Sequence, residues 1–234
     1  VCEPARFLFP QNVETRNNQI LEKMKKASIL MIIGPLFLLG LYLFPLWNIM
    51  LGAPQYPEPL GMNIHINGIR GVSEFDVQNI DGLNHYIGMR TLPKDEEMWE
   101  FSYFPVIVGA MIALGVIVGL LGLLKKVSYR WFLGWFVIMS VFGVLGMYDF
   151  NQWMVDYGTN LDPNAIMKLE KPDGSPMTYK PPLFGHAKML NFDVTSLPAP
   201  GAWLMFLGMS LTLAAAYRGW KVSKSNKPQP RAAQ

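Results

Sequence analysis

Four stretches of this chain are apolar over roughly the 20 positions an α-helix needs to cross about 30 Å of hydrocarbon. They run 27–51, 103–124, 131–150 and 200–217, and the one charged residue inside any of them is Asp149, near the end of the third. Few folds accommodate four such runs in 234 residues. A bilayer offers backbone groups no water, so each run is expected to satisfy its own hydrogen bonds as a helix. The chain as a whole agrees, being 51% hydrophobic and only 16% charged. The predicted class is an all-α membrane protein, a four-transmembrane-helix bundle. Its two extracytoplasmic loops are expected to contain a short β-hairpin and helical turns.

Lys and Arg orient such a bundle, because cytoplasmic flanks retain an excess of them. Residues 1–26, 125–130 and 218–234 together hold 13 of the 20 basic residues against three acids, Glu3, Glu14 and Glu22. The remaining loops, 52–102 and 151–199 with the adjoining Asp149, hold 7 basic and 14 acidic residues. This predicts a cytoplasmic N-terminal segment 1–26, a cytoplasmic turn 125–130 and a basic cytoplasmic tail 218–234. Loops 52–102 and 151–199 then face outward, and the first helix is expected to be retained rather than removed as a signal peptide. The net charge of +3 is a sum of two opposed halves and does not point to nucleic acid. Membrane lipids are the expected contact of the basic tail.

No span carries an ionisable group at its centre, which argues against a transporter. Gly115 and Gly119, with Gly109, Gly122, Gly143, Gly146 and Gly208, are small positions where helices can approach closely. In the first outer loop, Met62 to Asn67 alternates with period two before an Asn67-Gly68 step, the pattern of a strand entering a hairpin. On that strand Met62 and His65 fall on opposite faces. Asp81 to Met89 reads as a capped helical turn. In the second outer loop, Asn151 to Tyr157 is expected to prolong the third helix, and Pro163, Pro172, Pro176, Pro181 and Pro182 then preclude a long one. The short stretch Gly185 to Met189 is expected to be helical.

The three histidines, His65, His85 and His186, all fall in the outer loops, together with seven of the fifteen methionines: Met62, Met89, Met98, Met154, Met167, Met177 and Met189. Imidazole with thioether, and with no thiol other than Cys2, is the ligand set that selects copper, Cu(I) above all. His85 and Met89 are spaced i,i+4, and His186 and Met189 i,i+3, so each pair shares a face if its segment is helical. Two such pairs would make a His2Met2 site, with His65 and Met62 as further candidates. Zinc fits poorly, since no cysteine cluster or His-x3-His spacing occurs. Ser73, Ser102, Ser175 and Ser196 lack a nucleophile-elbow context. The carboxylate pairs Glu74/Asp76 and Asp149/Asp156 look like solvated loop charges, so the chain is read as non-enzymatic.

Several motifs carry a resemblance: Tyr56-Pro57 through Met62 with Asn67, Gln78-Asn79-Ile80, Leu83-Asn84-His85-Tyr86-Ile87-Gly88-Met89, Gly146-Met147-Tyr148-Asp149-Phe150, Asp156-Tyr157-Gly158 and Tyr179-Lys180-Pro181-Pro182. Taken together the chain resembles a family of four-span bacterial inner-membrane proteins often encoded beside the maturation genes of nitrous oxide reductase, a periplasmic copper enzyme. The resemblance implies an accessory role in supplying or handling copper, with His85 and Met89 as the motif's ligands and a periplasmic copper chaperone or copper enzyme as partner. His65 and His186 belong to no matched motif. The competing expectation is a scaffold subunit of a larger membrane complex, in which the outer loops form a docking platform and the histidines are structural.

Overall fold

The computed structural model describes residues 11–95, 97–167, 178–189 and 191–225. Cys2, Met177 and the tail beyond Ser225 lie outside the described residues. Five α-helices and five β-strands are described: α1 (Gln11–Phe37), β1 (Trp47–Gly52), β2 (Leu60–His65), β3 (Gly68–Gly71), α2 (Asp76–Ile87), α3 (Trp99–Leu123), α4 (Tyr129–Thr159), β4 (Gly185–Met189), β5 (Phe192–Pro198) and α5 (Pro200–Ser225). Segments Asn18–Tyr42, Trp99–Leu123, Tyr129–Thr159 and Pro200–Ser225 are long and apolar enough to cross a bilayer. This is the architecture of a multi-pass membrane protein, but it is mixed α/β rather than all-α.

The chain divides into two compact units. The segments through Phe37, Met111–Ile138 and from Leu207 form the first; Leu38–Ala110 and Met139–Phe206 form the second. Among the described residues, the regular structure of the first is all helix. A Cβ added at Gly115 would stand 2.5 Å from the Pro35 ring, one at Gly119 2.5 Å from Ile32, and one at Gly122 2.7 Å from both Phe132 and Ser28. These three glycines thus form the face of α3 on which α1 and α4 rest, the small-residue packing that helices use in lipid. On α1, Gly34 likewise admits the backbone of α5 at Gly208 and Thr212. Trp135 of α4 donates its indole N–H to the Met111 carbonyl of α3 at 2.9 Å.

The second unit is built on an antiparallel sheet in the order β3-β2-β1-β5-β4. Its first strand corrects the expectation that the first apolar run is helical to Leu51. Helix α1 passes at Leu38–Tyr42 into a short 3-10 turn. Pro45 then disfavours helical geometry at Phe44, and the Leu46 N–H turns to the Ile64 carbonyl at 2.8 Å. Trp47, Ile49 and Leu51 alternate with Asn48 and Met50 along β1. An uncharged run of this kind is a buried strand as readily as a helix end.

The β2–β3 hairpin is present as expected, with His65 paired to Gly68. By contrast, Gly185 to Met189 is a strand and not a helix. A helix of five residues is marginal on its own, whereas on a strand Ala187 and Met189 find the apolar partners Val194 and Phe192 on β5. Strand β5 in turn pairs with β1 from Trp47↔Pro198 to Gly52↔Asp193. Both loops therefore share one sheet. The helical turn expected at Asp81 to Met89 belongs to the longer helix α2, and α4 does extend past Asn151, as far as Thr159.

Register sorts the sheet residues cleanly. Trp47, Ile49, Leu51, Leu60, Met62, Ile64, Ile69, Val194, Phe192 and Met189 share one face and belong to one hydrophobic core with Ile80 and Ile87 of α2, Met154 and Tyr157 of α4, and Tyr179. The opposite face carries Asn48, Asn63, His65, Arg70, Thr195, His186, Lys188 and Asp193, with Met50 and Leu197 among them. One apolar and one polar face is the ordinary economy of an antiparallel sheet with a single covered side.

Candidate functional site

The six sequence-derived metal candidates distribute over this frame as follows. Met62 and Met189 point from β2 and β4 into the core, whereas His65 and His186, on the same two strands, project from the polar face. Thioether and imidazole are thus on opposite sides of the sheet. The i,i+3 alignment of His186 with Met189 held only for a helix; on a strand an odd spacing separates them. The two histidines share a face but not a neighbourhood. Three strand spacings and four residues of offset, at about 4.8 Å and 3.3 Å each, put their backbones on the order of 20 Å apart.

Each sheet histidine has local partners of its own. His186 Nδ1 lies 3.0 Å from Thr195 Oγ1 and its Nε2 3.7 Å from Asp193, an exposed arrangement on the edge strand. His65 is half-buried, and this burial, with the nearby Arg70 guanidinium, holds its pKa below the ordinary imidazole value. Arg70 itself is clamped by two hydrogen bonds of 2.7 Å to the Asp95 carboxylate. Neutral imidazole is the form that can ligate a metal, but among the described residues no cluster of three His, Cys, Asp or Glu side chains stands ready to hold one.

His85 and Met89 do remain neighbours. Both line an open depression where the end of α2 meets Asn160, Leu161, Asp162 and Pro163. Their spacing, however, has a local cause. Gly88 adopts the left-handed conformation at φ 82°. The Met89 N–H returns to the Asn84 carbonyl at 2.8 Å, and the Gly88 N–H to the His85 carbonyl at 3.4 Å. These are the two bonds of a Schellman helix stop, in which the residue after the glycine is commonly apolar and docks back on the helix. Met89 occupies that position and is buried in the core, while the His85 ring is exposed. The segment after α4 then covers the stop, with the Asp162 N–H donating to the Gly88 carbonyl at 2.8 Å.

Two polar centres escaped the sequence reading. Asp76, expected to be a solvated loop charge, is buried; its carboxylate accepts the Gly61 N–H at 3.0 Å and the Ser73 N–H at 2.9 Å, tying the start of α2 to β2. A second buried centre lies where Asn84 donates to the Tyr157 hydroxyl at 2.6 Å. Asn84 also hydrogen-bonds the Asp81 carboxylate, which accepts the Leu92 N–H at 2.6 Å. Burial raises the Asp81 pKa, and the two hydrogen bonds oppose that rise. Tyr157 is stacked on Trp153 at 4.9 Å. The only sequence signal for this cluster was a polar Asn at a position of α2 four residues from Ile80 on the apolar side. Such a buried network joins α2, α4 and the loop after α2; it is saturated, with no buried side-chain polar atom left unpartnered among the described residues.

No protein-family model matches the chain, and neither a curated protein nor a solved structure shows significant similarity to it.

Proposed function

We propose that this chain is a non-enzymatic membrane scaffold, whose outer segments fold into one α/β module that presents the polar sheet face to a partner protein of a larger membrane complex. The observation that carries this reading is the β1–β5 pairing. It joins residues 47–52 to residues 193–198, from the two separate loops, in one sheet over one core. The buried polar groups are spent on holding this module together, and none of the non-glycine side chains on the opposite face is buried. With the basic residues marking the cytoplasmic flanks, the module faces the periplasm of a bacterial inner membrane. The test is migration of the protein from its native membrane on a blue-native gel. A defined assembly larger than the monomer is expected, lost when Asn63→Glu and Lys188→Glu are combined on the polar face while the far-ultraviolet circular dichroism is unchanged. Monomeric migration of the unaltered protein would count against the scaffold.

One observation favours a second reading: His85 and Met89 line the same depression. In that reading they hold Cu(I) there for delivery to a periplasmic copper enzyme such as nitrous oxide reductase, in keeping with the motif resemblance. The site would have two protein ligands rather than four, and His65, Met62, His186 and Met189 would have no part in it. A stoichiometric Cu(I) uptake abolished by His85→Ala would support it.

A further inference from the structure

Within the helical unit, α3 and α4 leave between them a groove of about 280 Å³, walled by Leu114 and Val118 on one side and Trp131 and Ile138 on the other. The groove is preformed. Trp135, which lines it, is 2% exposed and is held by its hydrogen bond to the Met111 carbonyl. Its walls open outward, with Leu114, Trp131 and Ile138 all exposed. Gly134 lines it as well, and a Cβ added there would meet no atom within 4 Å. The glycine keeps the space clear without being required by packing.

The remaining lining residue is Arg130, exposed and without an ion-pair or hydrogen-bond partner among the described residues. Lys125, Lys126 and Arg130 are the only charged residues between Glu100 and Asp149. With no ion pair to Arg130 among the described residues, this end of the groove is cationic, and the rest of it is apolar. A molecule matching both parts has a negative head and a hydrocarbon chain.

We propose that this groove is a binding site for one anionic glycerophospholipid, its phosphate on the Arg130 guanidinium and an acyl chain along Val118, Gly134 and Ile138. Arginine suits the task, because its planar donors match a phosphate with two parallel hydrogen bonds. The site follows from the multi-pass architecture and is independent of whether the sheet module is a scaffold.

The experiment is native mass spectrometry of the full-length protein, released from detergent after equilibration with equal amounts of phosphatidylglycerol and phosphatidylcholine of matched chains. One retained lipid is expected, with phosphatidylglycerol favoured by roughly fivefold, the scale of one arginine acting on an anionic lipid. Arg130→Gln should bring the two lipids to near-equal retention. Gly134→Leu should reduce retention of both by filling the groove, and Leu114→Trp should do the same from the opposite wall should the first variant not fold. Equal retention of both headgroups by the unaltered protein, or undiminished retention in the folded groove-filling variant, would overturn the proposal.

Discussion

The helical unit and the sheet unit solve the same problem, bringing chain segments into contact, with opposite means. In the helical unit apolar residues say little about what is inside, because lipid accepts them on every side: Ile29, Ile33, Leu120 and Val137 are all exposed. What marks the interior there is smallness, as at Gly115, Gly119 and Gly122. In the sheet unit the interior is marked by alternation, and a residue's side of the sheet follows from whether its number is odd or even along the strand. Alternation therefore decides what a methionine or a histidine does on a strand. On β2 and β4 a Met is a core side chain and a His is a face residue, however near they stand in sequence.

That contrast can be broken most forcefully in the sheet core. Ile80→Ala removes a side chain that is 2% exposed from the middle of the common core, and a loss of about 2–5 kcal/mol is expected, read as a lowered unfolding temperature by tryptophan fluorescence in detergent. Next comes a pair of glycines in α3 and α4. Gly119→Leu drives a side chain into Ile32 and the α1 backbone, at a cost of about 1–3 kcal/mol. Gly143→Ala meets nothing within 4 Å and should be neutral or stabilising by up to about 1 kcal/mol through helix propensity. Equal responses at the two glycines would contradict the packing assigned to α3.

Asn84→Ala should cost about 1–3 kcal/mol by leaving the Tyr157 hydroxyl and the Asp81 carboxylate without their shared partner. The smallest effect concerns pH. Because the His65 pKa is lowered on folding, the unfolded chain binds the proton more readily. Stability should thus be complete above the unfolded value near 6.5 and decline as pH falls below it toward the depressed folded pKa. His65→Gln should flatten that part of the profile, and an unchanged slope would remove the role assigned to this residue's burial.

These regions were not equally legible in the sequence. The spans were, because length without charge has few alternatives, and so was the β2–β3 hairpin, where Asn67-Gly68 follows a period-two run. Strand β1 was hidden because an uncharged run continues from α1 through Leu51, and hydropathy does not register the change of backbone at Pro45. Strand β4 was hidden because its identity depends on β5, and that of β5 on a β1 partner some 150 residues earlier in the chain, at Trp47↔Pro198. The i,i+4 spacing of His85 and Met89 was legible but ambiguous. The same spacing serves a ligand pair and a helix stop, and the Gly88 between them was the sign of the latter.

On β2 and β4 the imidazoles of His65 and His186 are held on the opposite face of the sheet from the thioethers of Met62 and Met189. Competition for Cu(I) against a chromophoric chelator, on the full-length protein with Cys2→Ser, measures that separation. With the two kinds of side chain on opposite faces, the protein should withdraw no stoichiometric Cu(I) through His186 and Met189, and replacing either by alanine should leave the titration unchanged. Uptake of one equivalent, lost in His186→Ala and Met189→Ala as well as in His85→Ala, would mean that these groups converge on one centre and would contradict the separation.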